Sequence, residues 1–239
     1  MVSLKEKFNF LEDGVDFPFY NDIPKLSTAE WILLLIPVII MLILLSVPEL
    51  RNDYKPVIIF LIMIIPALYV CKGDYSLFFK KLRKKDIPTI ILCVIASFVY
   101  TIIILSILVG VFGMPVSGNS VLSQFSSPSV FLIIGSFMQL LGEEFFKIFM
   151  LLIIMHVVYK LTNNRGTAIA LGITLTLLIF GLAHYRAYSG RILQILLIQG
   201  LGSIFDLYAY MKTKNVVVSY IIHIIIDYIP FTYAMLGFS

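Results

Sequence analysis

Carboxylate and imidazole side chains interrupt three long apolar runs of this sequence. They are Glu143, Glu144, His184, His223 and Asp227. A charged side chain at the depth of a bilayer costs at least about 2.5 kcal/mol by insertion scales. Residues of these types at such positions therefore indicate chemistry or transport, since together they can activate a water molecule or ligate a metal ion.

The two adjacent glutamates define the first candidate group. On a helix, Glu143 and Lys147 are i,i+4 neighbours in the favourable order, and Ser136 and Gln139 continue the same polar stripe. Lipid cannot satisfy such a stripe, so it must face the bundle interior. Glu144 points about 100° away, so one carboxylate could act as a general base while the other orients a partner. The alternative is a buried Glu143–Lys147 ion pair that fixes helix packing.

Two further groups contain histidine. His223 and Asp227 are i,i+4 neighbours, so Asp227 can accept from one ring nitrogen and leave the other for a substrate or a metal. A purely structural pair is the alternative. His184 alone is weaker evidence, because it can be an interfacial residue with a single hydrogen bond from Tyr188.

A polar helical face identifies Asp206 as a supporting residue. Gln199, Ser203 and Tyr210 share this face with Asp206, which we therefore expect to border the same cavity. His156 lies on neither glutamate face and is interpreted as a packing residue near the cytoplasmic side.

The composition is that of a membrane protein. The 239-residue chain is 60% hydrophobic and 13% charged, with a mean hydropathy of +0.99, whereas a soluble domain is about 25% charged. This composition predicts an all-α, polytopic bundle of helices in the lipid bilayer. The net charge of +4 is concentrated in loops and indicates no nucleic-acid partner. Cys71 and Cys93 give neither a disulfide framework nor a metal-binding spacing.

Seven apolar runs are candidate transmembrane helices. The predicted spans are residues 31–47, 57–71, 87–112, 129–158, 167–185, 192–210 and 216–236. The second is short and contains Pro66, so we expect it to be kinked or partly inserted. We divide the chain into a polar and aromatic arm (1–30), N-terminal transmembrane helices (31–128) and C-terminal helices (129–239) that carry the candidate catalytic residues.

Charge in the loops predicts the orientation. Residues 72–85 carry six basic side chains and residues 113–127 carry none, so we expect the first loop to be cytoplasmic and the second external. Arg186 and Arg191 then fall outside, against this rule. Residues 75–85 are either an interfacial amphipathic helix or an ordinary loop. The N-terminal arm is expected to lie along the membrane surface.

In their order, these motifs resemble the CPBP family of intramembrane proteases, also called Abi, which includes the type II CAAX prenyl endopeptidases. The family pattern is EExxxR, then FxxxH, then HxxxN or HxxxD. The matching residues here are Glu143 with Glu144, Phe180 with His184, and His223 with Asp227. The resemblance extends roughly from Ser129 to Tyr228. The family arginine would fall at Ile148, and Lys147, one residue earlier, lacks the guanidinium fork.

The resemblance implies a membrane-embedded endopeptidase in a bacterial plasma membrane. Glu143 and His184 would activate a water molecule, supported by Glu144 and Lys147. His223 and Asp227 would stabilise the oxyanion or complete a Zn²⁺ site. The metal ligands would then be Glu143, His184, His223 and Asp227.

The substrate class is a membrane peptide or protein, and the expected role is bacteriocin immunity or peptide maturation. One alternative is a non-catalytic immunity protein that binds a toxin or its receptor, which the Ile148 departure favours. Another is an ion-coupled carrier that uses Glu143, Asp206 and Asp227, although we find no inverted repeat in the sequence.

The depths of the motifs conflict with a shared site. At 1.5 Å per residue, Glu143 lies near mid-membrane, His223 about 10 Å from the inner edge and His184 close to the outer edge. We nevertheless predict that the three meet in one water-accessible cavity, because each is a polar residue that lipid would penalise.

Overall fold

The computed structural model describes residues 10, 14–46, 54–118 and 129–235, and within them it is an all-helical bundle. Seven helices follow one another: α1 Thr28–Ser46, α2 Lys55–Val70, α3 Ile87–Ser106, α4 Val130–Thr162, α5 Arg165–Ala183, α6 Ile192–Thr213 and α7 Val216–Met235. The predicted fold class is confirmed. The predicted ends at Val47 and Leu236 lie outside the described residues.

Five of these helices are long and apolar enough to cross a membrane: α1, α3 with its flanking turns (Lys84–Val111), α4, α5 and α6. The two shorter apolar helices are α2 and the stretch Val216–Pro230 of α7. With 16 residues, α2 measures about 24 Å and falls short of a hydrocarbon layer of about 30 Å. The protein is therefore a multi-pass membrane protein whose second helix is short, as predicted.

The 33-residue helix α4 is the centre of the bundle, and α1, α2, α5 and α7 all pack against it. It begins where the Ser129 side chain accepts a hydrogen bond from the Leu132 amide at 3.0 Å. It ends at Asn163, which adopts the left-handed conformation with φ of 49°. The Asn164 side chain then caps α5 by accepting from the Thr167 amide at 3.0 Å. The two helices therefore form a tight antiparallel hairpin.

Glycines let helices approach closely beside the predicted motifs. A Cβ at Gly142 would lie 2.9 Å from the Ile59 side chain of α2. A Cβ at Gly181 would lie 2.8 Å from the Ile195 carbonyl and 2.9 Å from Gly200 Cα. Small residues at such contacts draw membrane helices together, so α2 and α6 press directly against the α4–α5 hairpin.

Helix α6 is irregular in its first half. A π-helical segment, Ile195–Gly200, passes through a 3₁₀ turn, Leu201–Ser203, into the regular α-helix Ile204–Thr213. It ends at Lys214, which is left-handed with φ of 50°. Segments with π geometry occur frequently at functional sites, and this one precedes the turn of α6 that carries Asp206.

Residues 75–85 form a strap over the basic end of the bundle. Their helical content consists of two 3₁₀ turns, Tyr75–Leu77 and Lys84–Asp86, so the interfacial amphipathic helix is wrong and the loop alternative is right. Phe78 is fully buried, and its carbonyl accepts from the Val216 amide at 2.8 Å. Asn215 exchanges two hydrogen bonds with the Lys80 backbone, at 3.1 and 3.0 Å. The strap therefore holds the start of α7.

The described residues 14–27 of the N-terminal arm pack against the bundle, and the expectation that the arm lies along the membrane surface stays a prediction. Phe17, Phe19 and Tyr20 are buried in the main core. Asp16 pairs with Arg165 at the start of α5 at 2.7 Å. Burial raises the pKa of Asp16, but hydrogen bonds from Arg165, the Phe17 amide and Tyr20 outweigh this and hold the pKa below its usual value. The arm is thus clamped to the α4–α5 turn.

The loops segregate to the two ends as predicted. At one end, basic side chains link neighbouring segments of the chain. Lys160 pairs with Asp22 of the N-terminal arm, and Lys212 donates a hydrogen bond to Thr89 of α3. At the opposite end, Ser117 exchanges hydrogen bonds with Gln194, with distances of 2.9 and 2.7 Å. Residues 119–127 of the uncharged loop lie outside the described part. The positive-inside rule predicts that the basic end is cytoplasmic.

Candidate active site

The α4–α5 hairpin sets Glu143 and His184 at the same height. Glu143 lies twenty residues before Asn163, and His184 lies twenty residues after Asn164. In antiparallel helices that share this turn, both are about 30 Å from it. The estimate that separated them in depth was wrong because it assumed that each helix fills the bilayer.

Packing along the hairpin agrees with this register. The Phe146 and Phe180 rings lie 6.0 Å apart between α4 and α5. The Lys147 ammonium lies 4.9 Å from the Phe180 ring centroid. Phe180 therefore connects the glutamate motif of α4 with His184, whose ring meets it edge-on at 4.8 Å.

The α6–α7 hairpin likewise sets Asp206 and His223 at the same height. Asp206 lies eight residues before Lys214, and His223 lies eight residues after Asn215. Both are thus about 12 Å from their shared turn. The second hairpin presents one carboxylate and one imidazole to α4 at the same level.

Glu144 joins the two hairpins at the centre of the site. Its Oε1 accepts from His223 Nδ1 at 2.7 Å and lies 2.5 Å from Lys147 Nζ, which also reaches Asp206 Oδ2 at 2.6 Å. None of these four residues is more than 6% exposed. Lys147 therefore pairs with Glu144 and Asp206, and not with Glu143, the partner that the i,i+4 spacing predicted.

One carboxylate oxygen of Glu143 accepts a hydrogen bond, and the other faces the site. Its Oε1 accepts from Gln139 Nε2 at 2.8 Å, while its Oε2 lies 3.9 Å from His223 Nε2. Asp227 Oδ2 lies 3.7 Å from the same nitrogen, and the Asp227 side chain is 33% exposed. His223 Nε2 is therefore directed toward two carboxylates on the more open side of the cluster.

The hydrogen-bond partner of His184 shows which ring nitrogen carries a proton. Nδ1 lies 2.8 Å from the Phe180 carbonyl oxygen. A carbonyl can only accept, so Nδ1 carries a proton, which makes Nε2 the lone-pair nitrogen when the ring is neutral. Asp227 interacts electrostatically with His184, Glu143 and His223.

One cluster has the spacing of metal ligands. In the described part of the chain, Glu144, Asp206 and His223 are the one such group, with candidate ligand atoms all within 4.8 Å of one another. The ammonium of Lys147 already contacts both carboxylates of this group. A divalent cation would have to take the place of that ammonium, so this cluster does not fit a metal ion. The predicted Zn²⁺ ligands are Glu143, His184, His223 and Asp227, and this set stays a prediction.

Tyr228 lies next to the site, although the sequence motifs do not include it. Its ring stacks on Phe137 at 4.3 Å, and its hydroxyl contacts Ser136 and donates to the Ile133 carbonyl at 3.1 Å. It closes the seam between α4 and α7 next to Asp227. The available signal was a hydroxyl group directly after the HxxxD motif in an apolar run.

His156 takes no part in the site. Its ring stacks on Trp31 at 4.2 Å, and its Nδ1 lies 3.0 Å from the Tyr20 carbonyl. Its interpretation as a packing residue is confirmed.

A comparison with known families agrees with this geometry. Residues 124–229, which contain every predicted site residue, match the family model described as Type II CAAX prenyl endopeptidase Rce1-like. No curated protein and no solved structure matches the chain. The predicted resemblance to the CPBP and CAAX proteases is thereby confirmed over the matched segment.

Proposed function

We propose that the protein is an intramembrane endopeptidase that hydrolyses membrane-associated peptides or proteins with a water molecule activated by Glu143 and His184. The observation that carries the proposal is the arrangement around His223. Glu144 holds one ring nitrogen at 2.7 Å, and the other faces Glu143 and Asp227 at 3.9 and 3.7 Å.

Glu143 and His184 supply complementary acceptors. Gln139 fixes one carboxylate oxygen of Glu143, which leaves Oε2 to accept a proton from water. His184 donates its Nδ1–H to the Phe180 carbonyl, so the neutral ring presents an unprotonated Nε2. A water molecule that donates to both groups directs its lone pair at the scissile carbonyl.

His223 supplies the charge that the tetrahedral intermediate needs. Carboxylates of Glu144, Glu143 and Asp227 lie beside its two ring nitrogens, and in the proposed mechanism both nitrogens carry a proton. Its Nε2–H then donates to the oxyanion. An ionised carboxylate cannot donate, so Asp227 acts through its negative charge beside His223 Nε2, at 3.7 Å.

The proposed hydrolysis needs no reactant other than water and the peptide. Water loses a proton to Glu143 as its oxygen bonds to the carbonyl carbon. The carbon–nitrogen bond then breaks, and Glu143 returns the proton to the leaving amine. Glu144 and Lys147 stay in place and hold His223 in register.

We further propose a role in bacteriocin immunity or peptide maturation at a bacterial plasma membrane. A non-catalytic immunity protein that binds a toxin or its receptor is the competing function. The feature that favours it is Ile148, an apolar residue at the family arginine position.

The test is cleavage by purified protein in lipid nanodiscs. Substrates are an S-farnesylated CAAX peptide and an unlipidated transmembrane peptide, with products identified by mass spectrometry. We expect wild type to cleave at least one of them and Glu143→Gln to lose at least about 100-fold in kcat. Glu30→Gln, a carboxylate change at the basic end, is the matched control. Equal cleavage by Glu143→Gln rejects the proposal, and loss of activity with a chelator would support the Zn²⁺ ligand set.

A further inference from the structure

The family arginine position cannot serve the site in this chain. Ile148 is apolar and fully buried. Lys147 precedes it by one residue and is turned by about 100° around α4, which directs its side chain to Glu144 and Asp206. The cation is therefore present, but it approaches Glu144 from a different face of the helix.

A lysine needs more support than an arginine in this task. A guanidinium holds a carboxylate through a planar fork of donors, whereas an ammonium is a point charge on a flexible stem. Lys147 is fixed by two carboxylates, at 2.5 and 2.6 Å, and by the Phe180 ring at 4.9 Å. The second carboxylate comes from α6, outside the EExxxR, FxxxH and HxxxD motifs.

The surroundings of Asp206 indicate that its negative charge has a role in the site. It is 3% exposed, and its Oδ2 binds Lys147. Its other oxygen, Oδ1, is buried and has no hydrogen-bond partner within the described residues. A half-satisfied carboxylate inside a membrane bundle is costly, so packing alone gives no reason to place an aspartate here.

We propose that Asp206 and Lys147 form a positioning pair that replaces the missing arginine of the EExxxR motif. Asp206 fixes the ammonium of Lys147, and the ammonium fixes Glu144. Glu144 in turn holds His223 through Nδ1, so that Nε2 points at Glu143 and Asp227. This inference rests on the proposed endopeptidase function and assigns Asp206 a role in its turnover.

The test measures kcat and KM per folded protein in the nanodisc assay. Asp206→Asn should lower kcat by about 10–100-fold with little change in KM, the size of effect known for groups that orient the ligands of a metal site. Asp206→Glu should recover part of the loss, since it restores the charge. Tyr210→Phe is the matched control on the same helix, because the Tyr210 hydroxyl is buried without a partner in the described structure. Its kcat should stay at the wild-type value.

The double variant Lys147→Met with Asp206→Asn decides between positioning and simple stability. Each single change leaves an unbalanced buried charge and can impair folding. The double change removes one positive and one negative charge, so it should fold. If the pair positions Glu144, the folded double variant keeps a kcat at least 10-fold below wild type. Wild-type kcat in this variant, or in Asp206→Asn, overturns the inference. Wild-type activity in Glu143→Gln would instead reject the endopeptidase itself.

Discussion

Glu143 and His184 lie twenty residues on either side of the turn at Asn163 and Asn164, and this symmetry places them at one height in the α4–α5 hairpin. Asp206 and His223 repeat the relationship at eight residues from Lys214 and Asn215. The site is therefore built by the registers of two helical hairpins, and it needs no special depth in the bilayer.

A first prediction tests the register of the α4–α5 hairpin. One alanine inserted after Thr174 should abolish cleavage, because it turns His184 by about 100° and moves it by about 1.5 Å. One glycine inserted between Asn163 and Asn164 should leave kcat within about threefold, since close packing at Gly172 and Gly181 fixes the helices. Turnover in nanodiscs checks both. Equal effects of the two insertions would contradict a register set by helix packing.

A second prediction concerns His223. His223→Ala should lower kcat by about 10²–10³-fold, the usual effect of losing an oxyanion donor. His156→Gln is the control for removal of an imidazole elsewhere, because His156 packs against Trp31 away from the site. Single-turnover cleavage by His223→Ala at the wild-type rate would remove His223 from the chemistry.

The helices were readable from the sequence because apolar runs report membrane burial directly. Predicted and observed starts agree within three residues for α1, α2 and α4, and coincide for α3, α6 and α7. The site residues were readable because a charge inside such runs is rare. Their partners were not, because pairing depends on which helix faces which. Lys147 pairs through i,i+3 with Glu144 and across helices with Asp206, and the i,i+4 rule describes isolated helices only.

The strap and the arm show a second limit. Phe78 and Phe17 lie in short polar segments, whose local pattern does not predict burial of an aromatic ring. Both rings instead fill the basic end of the bundle, where Phe17 lies beneath the Lys214 ammonium at 4.1 Å. Burial of a loop aromatic depends on tertiary contacts that no periodicity reports.

A third prediction follows from the clamp between Asp16 and Arg165. The pKa of Asp16 is lower in the folded protein than its usual value, so the ion pair stabilises the arm at neutral pH. This stability is lost as the pH falls below about 4 and through the folded pKa, because the carboxylate is then protonated. Limited proteolysis with an acid-active protease should show faster cleavage of the arm at low pH. Asp16→Asn should be cleaved readily at every pH, and an unchanged pattern in that variant would contradict the clamp.

A fourth prediction tests orientation. Cys71 and Cys93 are buried, so a membrane-impermeant thiol reagent reports on introduced cysteines. Lys81→Cys on the strap should react only after the membrane is opened, and Pro115→Cys should react in intact cells, as the positive-inside rule requires. Labelling of Lys81→Cys from outside would invert the topology and place the strap and the arm at the external face.

A fifth prediction separates a protease from a binder in living cells. If cleavage protects the cell or matures a peptide, Glu143→Gln abolishes that effect while the protein stays inserted, because the amide keeps the size of the side chain but cannot take a proton from water. Lys147→Ala should be severe if Lys147 serves in place of the family arginine, and mild if it only adjusts the charge near the glutamates. The measurement is protection or peptide maturation at equal expression of each variant. A binder predicts the opposite result for Glu143→Gln, since a neutral amide in the same position preserves the bundle and the surface that a toxin or receptor would contact.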